Sequence, residues 1–73
     1  MTREEISHRW LREEINYHIT TYNKSKTEYA AAYLHGYIAA ARMADAVTPD
    51  EYAPIFDALL YVRNCPLLTE REG

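Results

Sequence analysis

Glu5 and His8 form the first pair in this chain whose types and spacing could do chemistry. A Glu-x-x-His step sets both side chains on one helical face, as in di-iron bundles. Those sites take two such motifs and two further carboxylates from other helices. The motif occurs once here, so Glu5 and His8 read as solvated surface residues. His18 falls beside Leu11 and Tyr22 on a helical wheel, where a histidine serves packing, and His35 sits on a polar stripe. Cys65 has no histidine near it in sequence and follows a helix C-terminus, where the dipole raises a thiol pKa. The sequence has no glycine-rich phosphate loop, no serine elbow and no Cys/His spacing of a zinc site. A nucleophile, a base and oxyanion donors do not come together, so no enzyme, no cofactor and no metal are expected.

The elements that position these residues are helices. Thr2-Arg3-Glu4-Glu5 is a capping box, and Leu11, Ile15, Ile19 and Tyr22 then share one face. Ile6, Trp10 and Tyr17 form a second stripe, roughly 140° round the wheel. This first helix is expected over about 3–22, fading after the β-branched pair Thr20-Thr21. Ser25-Lys26-Thr27-Glu28 is read as a second capping box opening an alanine-rich helix over about 26–46. Tyr29, Tyr33 and Tyr37 recur there at every fourth position, beside the small residues Ala32, Gly36 and Ala40 that let another helix approach closely. Leu34, Ile38 and Ala41 add a further apolar strip, so this helix should be central; Glu28, His35 and Arg42 mark its solvent side. Thr48-Pro49-Asp50-Glu51 combines an N-cap, a proline at the first helical position and a returning glutamate, and opens a third helix over about 49–63. Pro54 predicts a kink or a restart, because it has no N–H for the Asp50 carbonyl. Asn64 suits a left-handed cap, and residues 66–73 form a short tail in which Leu67 and Leu68 pack locally before fraying.

The expected fold is therefore all-α: a small antiparallel three-helix bundle in one domain, residues 1–73. A core of this size rarely supplies more than roughly 3–5 kcal/mol, and one cysteine cannot form an internal disulfide. Tight packing or a homodimer is left as the source of stability. The stretch from Gly36 to Leu60, with Thr48-Pro49-Asp50-Glu51-Tyr52 opening its last helix, resembles helical hairpins of many small bacterial and phage proteins. The resemblance covers about a third of the chain and brings no functional residues with it.

Charge and composition narrow the partners. No apolar run approaches the ~20 residues that span a bilayer, and the first residues are polar, so no membrane and a cytoplasmic location are expected. The net charge is -3, with a balance of +1 over residues 1–26 and -4 over 27–73. Three short helices also describe a dimeric helix-turn-helix DNA-binding regulator, the alternative reading. Its reading helix would then open on Asp50 and Glu51, which repel phosphates, so nucleic acid is not expected.

Seven tyrosines and one tryptophan exceed what a three-helix core easily holds. Tyr, Trp and Arg dominate binding hot spots. The leading expectation is a non-enzymatic module that binds and modulates or inhibits another protein, in its concrete form a phage or mobile-element inhibitor of a host nuclease or defence system. Its candidate contact residues are Ile6, Arg9, Trp10, Glu13 and Tyr17. A second candidate is an acidic face of Asp45, Asp50, Glu51 and Asp57. Two bland readings stand beside these: the stripe is the wall facing helix three, and the chain is a structural bundle with no particular partner.

Overall fold

A computed structural model describes residues 2–69, Glu4 as backbone only. Three helices follow one another, α1 (Arg3–Ser25), α2 (Glu28–Met43) and α3 (Pro49–Leu60), with no strand among the described residues. Each starts on a threonine. Thr2 accepts from the Glu5 N–H at 3.1 Å, although Glu5 does not return the bond and only half of the expected box forms. Thr27, not Ser25, caps α2, accepting from the Ala30 N–H at 3.1 Å. Thr48 and Glu51 complete the full reciprocal box on α3.

The helix ends differ from the expected ones for local reasons. α1 runs on to Ser25, with Thr20, Thr21 and Ser25 turning their hydroxyls onto carbonyls four residues back, at 3.0–3.1 Å, instead of competing for backbone N–H groups. Lys26, left-handed at φ 52°, then stops it. α2 ends three residues early, at Met43: Asp45 turns left-handed and the Ala46 N–H reaches the Ala41 carbonyl at 2.8 Å. α3 ends at Leu60 in the same motif, closed by the Arg63 N–H on the Ala58 carbonyl. The left-handed residue there is Val62 (φ 54°), not Asn64, which instead accepts from the Lys26 ammonium. A β-branched residue in that region is strained, so the motif holds by its hydrogen bonds rather than by preference. The helix runs unbroken through Pro54, close enough to its start that one missing bond does not end it.

The molecule is a small all-α bundle with α2 at its centre. α1 and α2 run antiparallel, as the two-residue link Lys26-Thr27 between these packed helices requires, and α3 packs on α2. The core joins Ile15, Ile19 and Tyr22 of α1 to Leu34, Ile38 and Ala41 of α2 and to Ile55 and Ala58 of α3. Each large side chain among them contributes roughly 1.5–3 kcal/mol by leaving water.

The third side of the bundle is not what the helical pattern suggested. α1 and α3 have no Cα approach within 8 Å. An extended strap, residues 63–69, lies along α1 instead, running opposite to it. Asn23 accepts from the Cys65 N–H at 2.7 Å and donates to the Cys65 carbonyl at 3.1 Å; Asn16 does the same for Leu68 at 2.7 and 3.0 Å. Two side-chain amides thus pair with the strap as a neighbouring strand would, and Cys65 and Leu68 are buried beneath them. Leu68 therefore belongs to the core, while Leu67 stays exposed. The expected fraying of residues 70–73 lies outside the described residues.

Burial pushes the Cys65 thiol above its ordinary pKa, and the nearby Lys26 offsets part of this. Few thiolates form and access requires opening, so Ellman's reagent at pH 8 is expected to modify the folded chain at least ~100-fold more slowly than the urea-unfolded chain. Equal rates would take Cys65 out of the core.

Candidate protein-docking surfaces

Arg12 separates the basic residues that can meet a partner from the one that cannot. It is 7% exposed, and its guanidinium donates to the Ala46 carbonyl (3.0 Å), to both Glu51 oxygens (2.8 and 2.7 Å) and to the Thr69 carbonyl (2.6 Å). This side chain ties α1 to the α2–α3 turn, to the cap of α3 and to the strap. It is a folding residue, and its charge is used internally. Its charge is therefore not offered to a phosphate, and the first turn of α3 presents Asp50 to solvent, both against the DNA-binding alternative.

The α1 stripe points outward. Ile6 and Trp10 are each 53% exposed and Tyr17 65%, on the side of the helix turned away from Ile15 and Ile19. The wall facing helix three is therefore not where they lie. Arg9 and Glu13 are also exposed and pair with each other at 3.6 Å between successive turns. A pair this exposed adds little stability. It borders the apolar stripe and leaves both groups available to a partner.

The acidic residues are partly neutralised. Glu51 is engaged by Arg12, Asp45 lies 3.9 Å from Arg42, and Asp57 lies 3.9 Å from Arg63. Asp50 stands exposed at the start of α3, where the dipole accounts for an acid. Glu5 is exposed and His8 half-buried, and no group of three or more His, Cys, Asp or Glu converges among the described residues.

Helix wheels left one surface in the wrong place. The small residues Ala32, Gly36 and Ala40 are exposed rather than packed in the core, and with Leu11 of α1 and with Tyr33 and Tyr37 they line an open apolar groove of about 460 Å3. Beside it, the His18 ring stacks on Tyr37 at 4.6 Å and on Tyr33 at 5.7 Å, with Tyr17 edge-on at 5.3 Å. Tyr29 donates its hydroxyl to Tyr33 at 3.1 Å, which raises its pKa. The sequence signal for this surface was an alanine-rich helix with apolar residues on all sides but one narrow stripe.

Comparison with protein-family models, with curated proteins and with solved structures gives no match for this chain. What class of protein this is rests on its own surfaces. No helix among the described residues is long and apolar enough to cross a membrane.

Proposed function

We propose that this chain is a non-enzymatic protein–protein interaction module that binds another protein and modulates or inhibits it. The observation that carries the reading is the exposure of Ile6, Trp10 and Tyr17 on one outward face of α1. Single exposed apolar residues are ordinary. Three on one face, at spacings of four and seven and including the tryptophan, form a small contact patch of the kind that anchors interfaces. α1 is anchored through Arg12, Asn16 and Asn23, so the patch is presented on a rigid element.

The finer form of the proposal is a phage or mobile-element inhibitor acting in the cytoplasm on a host nuclease or defence protein. The net balance of -4 over residues 27–73 supports it, since an acidic segment suits a partner whose working surface is basic.

Trp10→Ala tests the proposal directly. The side chain is half in solvent, so the variant should keep its helical circular dichroism and melt within a few degrees of the parent. As bait in quantitative affinity capture it should lose the specific partner by a factor of ~30 or more, the size of a hot-spot truncation. A partner recovered equally by both baits would remove the α1 stripe from the binding surface.

A further inference from the structure

The strap and the flank of α1 beneath it are a ligand and its receptor joined in one chain. Asn16, Asn23 and Arg12 address only the strap's backbone: the N–H and carbonyl of Cys65, those of Leu68, and the Thr69 carbonyl. The buried Cys65 and Leu68 side chains complete the fit. None of these contacts depends on which copy of the chain supplies the strap. What ties it to its own copy is the hinge at Tyr61 and Val62, and that hinge is strained. Lys26, Asp45 and Val62 are left-handed among the described residues, and of these Val62 alone is β-branched. Leu60, Tyr61 and Val62 are also consecutive and 61, 58 and 61% exposed, an apolar run left in solvent where the chain turns from α3 into the strap.

We propose that the strap exchanges between two copies of this chain, residues 63–69 of each lying on α1 of the other. The backbone bonds and the two buried side chains are the same in the closed monomer and the exchanged dimer, so they do not decide between them. The hinge decides. Opening it releases Val62 from the left-handed region. The two hinges then pass each other at the two-fold axis, where the Leu60-Tyr61-Val62 run of one copy covers that of the other. Against this stands the freedom that two chains lose on joining, which sets the concentration at which the dimer forms. Each site is completed by the other copy, which supplies Cys65, Leu68 and the Thr69 acceptor.

Exchange requires the strap to open, so the full chain is unfolded in urea and refolded at ~10 µM and at ~500 µM. Sedimentation is expected to find the 8.5 kDa protomer in the first sample and, in the second, about a fifth or more of the chain at twice that mass. Val62→Gly takes the left-handed turn without strain and should lower the dimer share at least ~3-fold at equal concentration. Complementation identifies the strap as the exchanged part. Arg12→Ala keeps a good strap over a broken site, and Leu68→Asp keeps a good site under a broken strap. Refolded together at ~500 µM, the two should regain about half of the parent's near-ultraviolet dichroism and a cooperative urea transition, because each pair holds one intact strap and one intact site. Three results each overturn the proposal: a parent chain monomeric at both concentrations, a dimer share that Val62→Gly leaves unchanged, or a mixture that behaves as the sum of its parts. Trp10→Ala touches neither hinge nor strap, so its partner capture bears only on the α1 stripe.

Discussion

Arg12→Ala is expected to leave the chain without a cooperative unfolding transition at 25 °C. The guanidinium is nearly buried, and its partners belong to three separate parts of the fold: the turn after α2, the cap of α3 and the strap. Removing one member of a buried ion pair costs about 3–5 kcal/mol, because the other group is left without compensation. A domain of this length has roughly 3–5 kcal/mol in total. The loss equals the whole. Arg12→Lys should be nearly as damaging, since one ammonium cannot address both carboxylate oxygens and two carbonyls lying in different directions. An apolar exchange often replaces a buried ion pair at no cost. Here it should not, because the Ala46 and Thr69 acceptors are backbone and cannot be mutated away. Urea titration followed by circular dichroism checks all of this, and an Arg12→Met, Glu51→Leu double variant as stable as the parent would show that the carbonyls did not need their donor.

The helices were legible because their signals are local. Thr2, Thr27 and Thr48 cap where short-range chemistry says a threonine can, and Ile15, Ile19 and Tyr22 of α1 and the Leu34, Ile38 and Ala41 strip of α2 became the core. What escaped was every feature whose partner lies far along the chain. Arg12, Asn16 and Asn23 flank the Ile15/Ile19 face at spacings of four and seven, and each has donors that can point along the bundle surface. Nothing local says that their acceptors sit 34 to 57 residues away. The helix boundaries failed for local reasons instead. Ser25 looked like a cap because it precedes Lys26-Thr27-Glu28, but its hydroxyl was already engaged with the Thr21 carbonyl.

The docking surfaces divide along the same line. That Trp10 lies opposite Ile15 follows from 100° per residue, but whether a third helix covers it depends on packing that a wheel does not contain. The answer turned on the strap: residues 63–69 occupy the flank of α1 that helix three was expected to cover, and the stripe beyond it stays bare. For α2 the small residues were read as the seat of a helix, and among the described residues they stay exposed along an open groove instead.

A chain ending at Asn64 is expected to lose tertiary order while keeping much of its helix. The truncation removes Cys65 and Leu68 from the core, and with them the four Asn16 and Asn23 bonds and the Thr69 acceptor of Arg12. Two buried apolar side chains are worth roughly 1.5–3 kcal/mol each. The hydrogen bonds add about 0.5–1.5 kcal/mol each, somewhat more for the charged one. Against this stands the freedom regained by five strap residues, about 1–2 kcal/mol each. The terms leave a net loss of about 2–4 kcal/mol, most of what such a domain holds. Near-ultraviolet dichroism and dye binding should therefore change far more than the far-ultraviolet signal. Point variants separate the amide clamps from the apolar contacts. Asn16→Asp can still accept from the Leu68 N–H but cannot donate to its carbonyl, and it sets a charge against that oxygen. Asn16→Asp should therefore destabilise more than the uncharged Asn16→Ala. The reverse order would mean that the strap is held by Leu68 alone, and a truncated chain melting as sharply and as high as the parent would mean that it is not held at all.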